Sequence, residues 1–209
     1  MSEVEAPGGR KAKSQQKRRE AVLAAADRLF RSVGYDAARI EDIAEHSEVS
    51  LGTIYNYFGS KGGIMEALIA PMTRRMQARG DAIIANPPAR LADAVSALFE
   101  AFRFDDDWKS LQMLQAFDTG NSVRDAHVAR VHEEYEHFIT DAFRRLLADF
   151  AARGKLRREL DIDDAAFILY RVMLMHFFGY VQAKGALSYE AMMVDMQRRL
   201  RAVVVGWET

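Results

Sequence analysis

None of the 209 positions is a cysteine. Disulfides and thiolate zinc sites are therefore impossible, and the chain suits a reducing compartment. Proline is scarce too, and its four copies act as punctuation. Asn86-Pro87-Pro88 is the clearest boundary, because two prolines cannot continue a helix and the first turns Asn86 away from helical angles. Long apolar runs are missing. The most apolar segment, Ala165 to Val181, is short for a membrane span and carries Arg171 and His176, so it reads as a buried helix and no membrane partner is expected. A secretory signal is absent as well, since a basic polar run follows Pro7-Gly8-Gly9 where apolar residues would be needed. Nor is there an excess of one charge. A net charge of -1 makes no case for nucleic acid from the chain as a whole.

What is present is a core and an uneven charge distribution. Hydrophobic residues make up 49% of the chain, ample for a buried interior, and charged residues 28%, enough for a soluble surface. Arg10, Lys11, Lys13, Lys17, Arg18 and Arg19 stand in one stretch with no acidic residue among them. Alone, such a run reads as a solvated tail; directly before a helix-turn-helix it reads as a DNA arm.

Apolar residues recur at helical spacing throughout. Ser14 can cap a first helix whose stripe is Val22, Ala25, Ala26, Leu29, Phe30 and Val33, with Gly34 placed for a left-handed end. A second short helix carries Ile40, Ile43 and Ala44. After the break Ser47-Glu48-Val49-Ser50, a third ends near Tyr57 or Phe58, and Ser60 begins a fourth that runs to about Ile84. Beyond the prolines, helices are expected at about 89–104, 108–117, 122–152, 163–184 and 188–206. No segment alternates as a strand would. The expectation is an all-α protein of about nine helices: a disordered basic arm (1–13), a three-helix helix-turn-helix head (14–61), a connecting helix (62–85), and a ligand-binding and dimerisation body (86–209).

A helix-turn-helix needs a packed first helix, a tight turn, and a second helix whose amino end reaches base edges. Ile43 and Ala44 supply the packing face, and Val49 fills the space between the helices. Ser50 can cap the recognition helix, whose free N–H groups attract phosphate. Gly52 allows close approach of a DNA backbone, and Thr53 offers a hydroxyl and a methyl. Asn56 suits either an adenine edge or a phosphate. Tyr55 and Tyr57 carry hydroxyls for phosphate oxygens, Arg39 precedes the second helix with a guanidinium, and Lys61 opens the fourth helix. Any one of these residues fits the wet side of an ordinary three-helix core. Their joint order is much harder to obtain by chance.

The segments Gly34-Tyr35 through Ile40-Glu41-Asp42-Ile43-Ala44, and Val49-Ser50-Leu51-Gly52-Thr53-Ile54-Tyr55-Asn56-Tyr57-Phe58-Gly59-Ser60-Lys61, resemble the DNA-binding signature of TetR-family regulators. The resemblance covers about residues 15–68. It implies a cytoplasmic homodimer, a palindromic double-stranded DNA operator, and repression relieved by a small-molecule effector in the C-terminal domain. It also implies DNA contacts from the positions of Thr53, Tyr55, Asn56, Tyr57 and Lys61. The chain departs from the family pattern at four places. Glu48 stands where glycine is usual, so a left-handed residue there costs on the order of 1 kcal/mol. Ala37-Ala38-Arg39 replaces a capping Ser or Thr worth about 1 kcal/mol. Gly62-Gly63 stands where an acidic residue is usual, and Pro71 lies inside the fourth helix, where it should bend it. Gly62-Gly63 and Pro71 read either as a compliant hinge for ligand-driven release or as a fit to local packing.

In the body, the helix from Asp163 to Lys184 is apolar nearly all round, and the last helix has a stripe at Tyr189, Met192, Met193, Met196, Leu200, Val203, Val204 and Trp207. Pairing the two across a two-fold axis as a four-helix bundle accounts for so much apolar surface. Candidates for an effector pocket are Phe99, Phe102, Trp108, Met113, Phe117, Tyr135, Phe138, His176 and Phe177. Individually such residues are more often plain core; together they fit an apolar or aromatic molecule. His127, His132 and His137 are spread around their helix, and Glu133 with His137 gives only two ligands, so neither a metal nor another cofactor is expected. There is no Gly-rich phosphate loop, nucleophile elbow or convergent acid–base pair, which leaves an enzyme as the runner-up class. An activator, or a regulator controlled by a protein partner, would share this architecture and is not separable from a repressor in sequence.

Overall fold

The helical spacing is realised as eight helices among the residues described, 7–103 and 126–209 of a computed structural model: α1 (Pro7–Val33), α2 (Ile40–Ser47), α3 (Leu51–Phe58), α4 (Lys61–Ala85), α5 (Leu91–Ala101), α6 (Ala126–Ala152), α7 (Ile162–Gln182) and α8 (Tyr189–Val204). The helix expected at 108–117 lies outside the described residues. The first helix starts at Pro7, not at Ser14, so residues 7–13 of the expected disordered arm are helical. Proline at a first helical position has no N–H to leave unpaired, and the Lys, Arg, Gln and Ala that follow are strong helix formers. Lys11, Lys13, Lys17, Arg18 and Arg19 thus lie exposed along the amino-terminal turns of α1.

Two cores result. In the head, Val22, Ala25, Ala26 and Phe30 of α1 meet Ile43, Ile54, Phe58 and the first turns of α4, Ile64, Met65 and Ile69. Val131 of α6, a body residue, packs into the same cluster. The second core lies among α5, α6, α7 and α8, with Met76 of α4. Met72 packs against both, so α4 runs through both hydrophobic centres. Pro71 is on the exposed side of α4, which continues unbroken to Ala85. Its ring removes one helix N–H, and only there.

Capping fixes the ends. Asp161 Oδ1 accepts from the N–H of Asp163 and of Asp164 at 2.9 and 3.0 Å, and Ser188 Oγ accepts from Ala191 N–H at 3.1 Å. Arg90 offers α5 no side-chain cap. Glu208, at the far end of the chain, supplies it by accepting from Leu91 N–H at 3.1 Å. The C-terminus is held there because Arg157 N–H donates to the Trp207 carbonyl at 2.9 Å, beside the isolated Leu156–Glu208 bridge.

The apolar helix expected at 163–184 is not fully covered. α7 buries Leu169, Tyr170, Met173 and Phe177 against α6 and α8, while Phe167, Ile168 and Met175 are exposed on its other side. On α8, Val194 is exposed, as is Val205 just past its end.

Candidate nucleic-acid interface

The turn between α2 and α3 is built by three residues. Glu48 takes φ 55° and ψ 30°, the left-handed conformation for which glycine is usual. Val49, 7% exposed, pins the turn into the head core and offsets that strain. Ser50 then caps α3: its Oγ accepts from Thr53 N–H at 3.3 Å and shares a hydrogen bond with Thr53 Oγ1 at 2.9 Å. Ile54 and Phe58, one turn apart, are buried. Their spacing turns Leu51, Gly52, Tyr55 and Asn56 outward, with Thr53 and Tyr57 half-buried at the edge. The amino end of α3 is therefore open, with its N–H groups and dipole facing out. Arg39 makes no side-chain cap to α2, and its exposed guanidinium is only loosely paired with Glu41 at 3.5 Å.

Gly52 is informative. A Cβ placed there meets nothing within 4 Å, so the head's own packing does not demand glycine. Gly52→Ala is expected to leave the melting temperature unchanged or raise it, since alanine favours helix by about 1 kcal/mol. The same variant is expected to lower DNA affinity about tenfold or more; equal affinity in an electrophoretic shift titration would show that no backbone comes close at this position.

Lys61 departs from the expected phosphate contact. Its ammonium donates to the carbonyls of Tyr35 at 2.7 Å, Ala38 at 3.0 Å and Asp36 at 3.3 Å, and it lies 4.4 Å from the Tyr35 ring centroid. An ammonium has three N–H donors, and all three are engaged in tying α4 to the α1–α2 connection. Lys61→Met is expected to cost about 2 kcal/mol of head stability, the range for hydrogen bonds to a charged group. An unchanged melting temperature, with a flatter salt dependence of DNA binding, would return Lys61 to the phosphate role.

The two glycines that follow are not a hinge. Ser60 Oγ caps α4 by accepting from Gly63 N–H at 3.1 Å, and Gly62 and Gly63 are buried. A Cβ on Gly63 would sit 1.9 Å from the Phe58 carbonyl oxygen, so α4 starts with its backbone pressed on the end of α3. Three residues further along α4, Glu66 Oε2 accepts from Arg130 at 2.9 Å and from His127 Nε2, both on α6. Arg130 also donates to Glu134 at 2.8 Å. Head and body are thus joined by the Arg130–Glu66 ion pair and the His127–Glu66 hydrogen bond as well as by Val131.

Of the residues expected in an effector pocket, Phe99, Phe102, Tyr135, Phe138 and Phe177 come together in the body core. Phe99 and Phe102 have no accessible surface and meet Phe143 tilted at 4.9 Å and edge-on at 5.9 Å, which makes them packing residues in this state. Tyr135 and Phe138 keep accessible surface. His176 is elsewhere: its Nδ1 donates to the Val172 carbonyl at 2.7 Å and its Nε2 lies 3.5 Å from Asp195, at the α7–α8 seam. Arg199 and Arg198 hold that Asp195 carboxyl down at about 2, so it stays charged. Trp108, Met113 and Phe117 lie outside the described residues. Among the described residues no group of three His, Cys, Asp or Glu could hold a metal. The sequence reading missed Tyr170, Glu66 and Val131 as parts of these sites; their roles come from partners on other helices.

Comparison with known proteins agrees with this geometry. The family model "Bacterial regulatory proteins, tetR family" matches residues 22–68, the whole helix-turn-helix and its supports. The transcriptional repressor KstR of Rhodococcus jostii is 35% identical over 77 residues, 37% of this chain and 34% of that protein. KstR of Mycobacterium tuberculosis is 26% identical over 139 residues, 65% of this chain and 61% of that protein. The chain therefore spans about a third to three-fifths of the length of these relatives, which are transcription regulators, not enzymes. Among solved structures, SmeT in complex with triclosan superposes with a TM-score of 0.73 at 16% identity, covering 92% of each chain, a likeness of fold. The head, residues 22–68, thus matches the DNA-binding part of the tetR family of bacterial regulatory proteins, and the chain is similar over part of its length to transcriptional repressors and in fold to SmeT.

Proposed function

We propose that the protein is a homodimeric repressor that binds a palindromic operator through α3 and releases it when a small apolar or aromatic effector enters the body. The observation that carries the reading is the open amino end of α3: Ser50 caps it, Gly52 leaves room beside it, and Tyr55 and Asn56 point away from the protein. Two such helices must lie about 34–36 Å apart to read half-sites one turn apart, so a dimer is needed. The exposed apolar sides of α7 and α8 supply a self-complementary surface for it, through Phe167, Ile168, Met175, Val194 and Val205. The repressor sense comes from relatives named as repressors. The aromatic core, and a structural neighbour solved with triclosan, support the kind of effector. A ligand that prefers a differently spaced dimer shifts the population off DNA by no more than its differential affinity.

Selection of bound DNA from a random pool, at stated salt, tests this reading. The expected product is a palindrome whose half-site centres are one helical turn, or a multiple of it, apart, bound by a dimer. Enrichment of no sequence, or of single half-sites bound by a monomer, would refute it.

A further inference from the structure

Between Arg10 and Arg19 stand six of the chain's 29 basic residues and none of its 30 acidic ones, so the rest of the chain is net acidic. Every residue from Lys11 to Glu20 is exposed, although α1 runs without a break from Pro7 to Val33. The cause is a change of residue type along one side of the helix. From Val22 onward that side carries Val22, Ala25, Ala26 and Phe30 into the head core. Ahead of Val22 by four and eleven residues, Arg18 and Lys11 hold the same side. Lys13 and Lys17, one turn apart, take the opposite side. The amino-terminal turns are thus basic around most of their girth, and they leave the head instead of packing on it.

Nothing within the helix favours this placement. The first turn holds no acidic residue, which the helix dipole would welcome, and Arg10 closes it instead. Lys13 and Lys17 are like charges four residues apart, a spacing that weakens a helix. Helical turns without a packed face are marginal in water. A line of negative charge alongside would relieve each of these penalties.

One contact fixes where that charge would lie. The Arg19 guanidinium sits over the Phe58 ring at 4.8 Å, so the basic turns start beside the last residue of α3. Eight residues make α3 about 12 Å long, and a DNA major groove is about 12 Å wide. A duplex that takes the amino end of α3 into its groove therefore brings a phosphate strand within reach of Arg18, Lys17 and the turns before them. A lipid surface fits less well, because Ala12 is the single apolar residue from Lys11 to Glu20 and there is no apolar face to insert.

We propose that the amino-terminal turns of α1 are a preformed phosphate clamp, in which Lys11, Lys13, Lys17 and Arg18 hold the DNA backbone beside the groove that α3 enters, without reading sequence. This rests on the reading of α3 as the operator helix and adds a second, sequence-independent contact to it. The clamp also offsets the repulsion between DNA and an otherwise acidic chain.

The test is a full-length variant carrying Lys11→Gln, Lys13→Gln, Lys17→Gln and Arg18→Gln, since glutamine keeps nearly the helix propensity of lysine and arginine. The palindrome obtained by selection and a scrambled duplex of the same length are titrated by fluorescence anisotropy over a series of salt concentrations. Each neutralised phosphate contributes about 0.9 to the slope of log affinity against log salt. The variant is expected to flatten that slope by at least about three and to bind both duplexes at least about thirtyfold more weakly at low salt. Its preference for the palindrome is expected to stay that of wild type, and its melting temperature to stay the same or rise. Arginine at positions 11, 13 and 17, which keeps the charge, is expected to preserve wild-type affinity. An unchanged slope, a loss confined to the palindrome, or a melting temperature several degrees lower would overturn the clamp. So would phosphatidylglycerol vesicles that displace the protein from the scrambled duplex at equal charge, which would assign the surface to lipid. Wild-type protein that binds the two duplexes equally would overturn the α3 reading while the slope still decides the clamp, and binding of neither duplex would overturn both.

Discussion

Gly63→Ala is expected to weaken DNA binding sharply by destabilising the head. The obstacle to a methyl group is backbone: the Phe58 carbonyl oxygen lies 1.9 Å and its carbon 3.0 Å from the added Cβ. No rotamer change relieves such a clash. The α3–α4 corner would have to open, although Gly59 N–H bonds Tyr55 O at 2.8 Å and Ser60 N–H bonds Phe58 O at 2.8 Å there. Opening it draws Phe58 and Ile64 out of a core in which they are 7% and 0% exposed. Overpacking usually costs 1–3 kcal/mol and sometimes more, and with backbone as the neighbour about 3 kcal/mol or more is expected here. That is a large share of a domain stability of about 5–15 kcal/mol. Circular dichroism melting, together with an operator shift titration, measures both consequences. A midpoint within a degree of wild type would mean that the corner has slack the geometry denies.

The second large effect concerns the proposed dimer. Met175→Asp combined with Val194→Asp is expected to give a folded monomer that binds the palindrome at least about a hundredfold more weakly. Both residues are more than 60% exposed, at 64% and 66%, so the monomer's own core does not need them. In a two-fold interface each new carboxylate appears twice, and burying an unpaired charge costs several kcal/mol. Arg198, one turn from Val194, is already bound to Asp195 at 2.6 Å and offers poor relief. A lone head reads one half-site and forfeits most of the gap between specific and non-specific binding. Sedimentation equilibrium distinguishes the outcomes: an intact dimer of the double variant would remove α7 and α8 from the interface.

How much of this was legible in the sequence depends on how local each signal is. The helix-turn-helix was readable because Ser50 caps within three residues and Ile54 and Phe58 repeat at helical spacing, so nothing distant decides them. Glu48 was expected to pay for a left-handed turn, and it adopts one. Lys61 looks like a phosphate ligand in sequence because its three carbonyl partners come from residues 35, 36 and 38, a contact that only folding creates. Gly62-Gly63 reads in sequence either as a hinge or as a fit to local packing, and only the fold decides, because Gly63 answers to a carbonyl on the preceding helix. His176 sits in an apolar stretch, but which side of α7 it takes is set by Asp195 on α8. The start of α1 was missed because Gly8-Gly9 and a run of like charge argue locally for coil, while Pro7 and the residues after it support a helix.

Val131 belongs to the body by sequence and to the head by packing, and His127, one turn before it, and Arg130, next to it, grip Glu66. A head tethered at a single point could tumble; fastened along α4 and again at α6, it is held to the body at two places. A rearrangement that moves α6 is therefore expected to disturb the packing of the head as well. A fragment severed after Ala85 would have an unfilled hole where Val131 belongs, so the head is mechanically larger than the stretch of chain that spells its motif.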